Sequence, residues 1–196
     1  MKTLFFFITF ILFIIQNNTV FAKYDCIVNS ATNEINYRVT KMNNNFSKIE
    51  SIEFGKVVNK ENSAVYYVIP VFWGNNFGKK FLSDIGEIVI DNSSYEIHKD
   101  TNAKHIYNTL VKWNVKGGSK YVLFSEYSIP ETIAEKIKTS KGNITFKFNI
   151  EEKGLKELDF GINTSDEMRF IIDKKYEDYI SVTKKKIKPK YTEIDK

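Results

Sequence analysis

Ile144-Thr145-Phe146-Lys147-Phe148-Asn149-Ile150 decides the fold class. Every second residue is large and apolar, and each residue between is polar. Successive side chains of an extended chain point to opposite faces, so this stretch covers a core with one face and meets water with the other. The same residues wound into a helix would be scattered around its axis. Working outward, Glu151 to Gly154 reads as a turn, and Leu158, Phe160 and Ile162 form a second row. The same alternation occurs in Ile35-Asn36-Tyr37-Arg38-Val39. It recurs in Tyr107, Thr109, Val111, Trp113 and Val115, with Asn108, Lys112 and Asn114 opposite. Lys116-Gly117-Gly118 supplies the glycine freedom a tight hairpin needs, and Asp91-Asn92-Ser93-Ser94 separates Ile88–Ile90 from Tyr95–Ile97. Strands at this spacing predict a mainly β domain (all-β or α+β), an antiparallel β-sandwich or partly open barrel.

Ala64 to Trp73 is almost continuously apolar, which fits a strand covered on both faces. Pro70 cannot donate to a ladder, so the strand is expected to run to about Ile69 and break there. Two segments change to helical period. A short lid helix is expected at about 129–140, with Ser128 as cap, Pro130 early, and Ile133, Ala134 and Ile137 on one face. A C-terminal amphipathic helix is expected at about 165–182. Thr164-Ser165-Asp166-Glu167 reads as its capping box, and Met168, Ile171, Ile172, Tyr176, Tyr179 and Ile180 form its apolar stripe.

The first 22 residues read as a cleavable export signal. Lys2 precedes an apolar run from Leu4 to Ile15, and Val20-Phe21-Ala22 offers a small-residue cleavage pattern. Twelve helical residues span roughly 18 Å, short of a ~30 Å hydrocarbon core. This predicts a periplasmic or extracellular protein with no integral membrane span after cleavage. The single domain is expected over 23–182, followed by a Lys-rich, disordered tail over 183–196. Cys26 is the sole cysteine, so an internal disulfide is excluded. Asp25 and Lys23 stand where a lipidation signal needs small and apolar residues.

The mature chain carries 28 Lys and Arg against 24 Asp and Glu, and the whole excess sits in the tail. A neutral body with a basic end argues against nucleic acid as a partner. Lys184, Lys185, Lys186, Lys188 and Lys190 suit a weak contact with an anionic surface. No cofactor is implied. His98, His105 and Asp100 are weak metal candidates, because the spacing of the two histidines is not diagnostic. Acidic pairs such as Glu151-Glu152 point in different directions and read as solvated surface.

The most distinctive local composition is Phe72-Trp73-Gly74-Asn75-Asn76-Phe77-Gly78-Lys79-Lys80-Phe81. Flat rings in an Asn- and Gly-rich loop make a contact surface, with Phe72, Trp73, Asn75, Asn76, Phe77, Lys79 and Lys80 as candidate ligand-binding residues. The alternative is a core strand whose loop aromatics fold back as plugs. The functional expectation is an exported accessory or binding protein of the cell envelope. Its partner is expected to be another envelope protein, a peptide or a carbohydrate. A structural or assembly subunit, such as an adhesin, is the second reading, and a hydrolase with an unrecognised site the third.

Overall fold

Strict alternation at residues 144–150 produces a strand in which Ile144, Phe146, Phe148 and Ile150 are all fully buried while Asn149 is exposed. The computed structural model describes residues 21–29, 31–45, 48–74, 82–100, 109–115, 118–150, 154–160 and 162–179. Among the described residues there are eleven strands: β1 (Phe21–Asn29), β2 (Glu34–Asn45), β3 (Lys48–Asn59), β4 (Ala64–Gly74), β5 (Leu82–Ile90), β6 (Ser93–Lys99), β7 (Thr109–Val115), β8 (Gly118–Phe124), β9 (Tyr127–Ile129), β10 (Ile144–Ile150) and β11 (Gly154–Phe160). Two helices, α1 (Glu131–Thr139) and α2 (Ile162–Asp173), complete the fold, with a further helical turn over 176–179.

All eleven strands belong to one antiparallel sheet in the order β1-β2-β3-β4-β9-β6-β5-β10-β11. The β7–β8 hairpin branches off, β8 pairing with the far end of β4. The mainly antiparallel β expectation holds, as an open sheet built round one core. That core joins Ile35, Tyr37 and Val39 of β2, Phe54 of β3, Ile88 of β5 and Phe146 and Phe148 of β10 to Ile133 and Ile137 of α1 and Ile171 of α2. The Tyr127 and Phe148 rings meet at 4.9 Å. At Asp91 and Asn92, φ values of 48° and 65° show the left-handed turn that links β5 to β6.

The inner face buries a charged residue. Lys56, 6% exposed, reaches across the sheet and donates to the carbonyls of Ile172 and Lys174, both at 2.5 Å. These are carbonyls that the end of a helix leaves without internal partners. A cation also suits the negative end of the helix dipole. Burial lowers the Lys56 pKa. Tyr37 helps at the same place, its hydroxyl donating to the Lys175 carbonyl at 3.1 Å. Cys26 is free and buried nearby in β1, and burial pushes its thiol up to about 12.

Four expectations need correction. β4 does not stop at Pro70; it continues to Gly74, with Pro70 opposite Ile52 of β3. The interruption lies in its other neighbour: β4 pairs with β9 at residues 66–68 and with β8 at 71–74, and Pro70 falls in the gap. Ser128 does not cap α1. It lies in β9, and Pro130 takes the cap position. The lid helix itself stands where expected, burying Ile133, Ala134 and Ile137. Ile162 does not extend the Leu158 row but begins α2, so Thr164 to Glu167 fall inside the helix rather than ahead of it. Ser165 is fully buried there. The helix also stops at Asp173, eight residues after Ser165, where Lys56 and Tyr37 take the carbonyls of Ile172, Lys174 and Lys175.

The expected leader lies largely outside the described residues, which begin at Phe21; the tail over 183–196 lies wholly outside them. Cleavage after Ala22 would remove two end pairings of β1, Phe21 with Met42 and Ala22 with Lys41. Among the described residues no helix is long and apolar enough to cross a membrane.

Candidate functional site

The outer face of β1–β4, opposite the core, carries an ordered polar network. Alternation places Asp25, Asn36, Arg38, Glu53 and Tyr67 on this face because Cys26, Tyr37, Phe54, Tyr66 and Val68 take the inner one. Register then brings them together: Asp25 lies opposite Arg38, Arg38 opposite Gly55, and Gly55 opposite Tyr67. The Arg38 guanidinium donates from Nη1 to Glu53 Oε2 at 3.3 Å, and its Nη2 lies 3.6 Å from Asp25 Oδ2. The Tyr67 hydroxyl donates to Glu53 Oε1 at 3.0 Å and accepts from Asn36 Nδ2 at 2.8 Å. Burial beside Glu53 raises the Tyr67 pKa well above the usual phenol range.

Gly55 is required by this packing. A Cβ there would overlap the Tyr67 ring and hydroxyl, so the missing side chain is what lets the ring lie across β3. Arg38 remains partly exposed, and its Nε is buried without a hydrogen-bond partner. The network therefore holds its side chains in place, and a partly exposed guanidinium fixed in this way loses less freedom on binding.

One row further along, Glu53, Ile69 and Glu126 lie level across β3, β4 and the two-residue break between β8 and β9. The backbone N–H of Asp100 donates to the Glu126 carbonyl at 2.9 Å, and Ser128 Oγ donates to Asp100 Oδ2 at 3.2 Å. Glu126 is 6% exposed, and its Oε2 is buried with no hydrogen-bond partner. Loss of hydration, reinforced by Asp100 and Glu53, pushes its carboxyl up to about 7.

The residues singled out from the sequence fall differently. Phe72 is in the core at 1% exposure, so its ring is not available to a ligand. The backbone of Trp73, next to last in β4, lies between Ile49 and Val122. Asn75, Asn76, Phe77, Lys79 and Lys80 lie outside the described residues, as does His105 and as do Lys184, Lys185, Lys186, Lys188 and Lys190. His98 is exposed on β6, opposite Ser128 in register, and Asp100 is two residues on. Among the described residues no group of three or more His, Cys, Asp and Glu side chains is arranged to hold a metal ion.

Sequence reasoning passed over Arg38, Glu53, Tyr67 and Glu126. Asn36 and Arg38 stand out only as the polar partners in the Ile35–Val39 alternation. The signal for Tyr67 was the doubly covered β4 run, since a strand buried on both faces must offer its outward tyrosine hydroxyl a partner. Comparison of the chain with protein-family models, curated proteins and solved structures found no match.

Proposed function

We propose that this chain is an exported binding or accessory protein of the cell envelope that engages its partner through the outer face of β1–β4. One observation carries the reading: hydrogen bonds and the Arg38–Asp25 ion pair tie Asp25, Asn36, Arg38, Glu53 and Tyr67 into a single network at a face where Arg38 stays partly exposed. A planar guanidinium flanked by carboxylates, an amide and a phenol suits a ligand rich in hydrogen-bonding groups, as in a peptide backbone or a carbohydrate. The leader supports export. Titration of the mature domain with envelope peptides and surface glycans tests the binding. Arg38→Ala and Tyr67→Phe should each weaken it while the far-UV spectrum is unchanged, and binding that ignores both changes would overturn the reading.

A structural or assembly role is the second reading, and β1 favours it. This nine-residue strand is one end of the sheet order, and Tyr24 on it is exposed, its ring 5.8 Å from the exposed Phe170 ring of α2. A terminal strand with exposed rings is a template for adding another chain. Concentration-dependent growth on a sizing column supports this reading, and a constant monomer mass removes it.

A further inference from the structure

Among the described residues, the hydrogen-bonded sheet is narrowest at β9. Between the β1–β4 half and the β6-β5-β10-β11 half, the path runs through these three residues, with three pairs to β4 and two to β6. Glu126 stands immediately before β9. Its neighbours come from both sides of the joint: Glu53, tied to Arg38, from the first half, and Asp100, at the end of β6, from the second. Tyr67 lies on the adjacent row of β4, Ser128 follows on β9, and His98 faces Ser128 from β6. Glu126 is more than nine-tenths buried, with one oxygen lacking any partner.

We infer that β9 is a proton-held joint, in which protonated Glu126 clamps the two halves of the sheet and its ionisation loosens them. A neutral Glu126 carboxyl sets no charge against Glu53 and Asp100. An ionised one places three negative groups around a joint held by five residue pairs, with its own oxygens in a site where water is scarce. The inference stands apart from the partner-binding reading.

Hydrogen exchange of the full chain, followed by mass spectrometry at pH 5 and pH 8 and corrected for the intrinsic rate, tests the joint. Protection of the amides at residues 98–100 and 126–129 should fall about tenfold or more at pH 8, while β2 and β3 hold theirs. Glu126→Gln should keep pH 5 protection at pH 8. Asp100→Asn, which preserves shape, should move the midpoint of the loss to lower pH by removing a negative neighbour, and it gives a second reading if the Gln variant fails to fold. His98→Gln should leave the profile unchanged. Equal protection at both pH values in the natural chain would overturn the inference, as would loss of the pH response in the His98 variant.

Discussion

Lys56 and Glu126 are both buried charged residues in neighbouring parts of one sheet, yet they have been accommodated in opposite ways. Lys56 faces inward and finds two backbone carbonyls at the end of α2, so its burial completes a helix terminus. Glu126 faces outward and finds two other acids and an oxygen without a partner. Proteins keep buried charges when they are paired, and where one is left partly unpaired its ionisation carries a free-energy penalty. The inner residue is thus explained by architecture. The outer one is left over after architecture has been accounted for, and a leftover of this kind marks a place where function can act.

The contrast breaks most readily at Lys56. Replacing it with Met keeps much of the volume but leaves the Ile172 and Lys174 carbonyls unpaired, and should destabilise the fold by about 3 kcal/mol in urea titration. A neutral Lys56→Met would remove the capping role. Glu126→Gln should act in the opposite direction. Below about 4.5, the ordinary glutamate value, folded and unfolded chains both hold the proton and no penalty exists. Between 4.5 and about 7 the unfolded chain releases it while the folded chain retains it, so stability falls as pH rises. Above that window the Gln variant should be more stable than the natural chain by roughly 2–3 kcal/mol, with the slope abolished. Parallel pH-stability curves for the two proteins would show that Glu126 is compensated after all.

Gly55→Ala sharpens the comparison within the outer face. The new methyl displaces the Tyr67 ring and should cost about 2 kcal/mol, together with the tyrosine's hydrogen bonds to Glu53 and Asn36, visible as a shift in its near-UV absorbance. Tyr67→Phe removes only the hydroxyl. It should cost about 1 kcal/mol, less than Gly55→Ala, with the difference measuring the packing of the ring itself.

Much of the fold was legible because local periodicity and burial agree. The seven residues from Ile144 alternate without exception and form β10; the Asp91–Asn92 turn and the buried face of α1 were equally plain. Thr164 to Glu167 misled because a capping box is a local pattern, while the helix starts earlier and buries both Ser165 and Met168. Pro70 misled in the same way: the chain tolerates it where the neighbouring strand is interrupted, a fact held in residues 124–127 rather than in β4. The candidate site was least legible. Arg38, Glu53, Tyr67 and Glu126 span nearly ninety positions, and only the combined register of β2, β3, β4 and β9 brings them onto adjoining rows. The aromatic loop drew attention by composition, yet Phe72, its first ring, is a core residue.

Cys26 gives this sheet a built-in reporter. Its thiol lies within β1, beneath the Tyr37 and α2 region, and burial holds it in the unreactive form. Alkylation therefore requires β1 to peel from β2 first. Because no other sulfhydryl competes for reagent, the labelling rate of the unmodified protein times the detachment of its own edge strand, with no introduced probe.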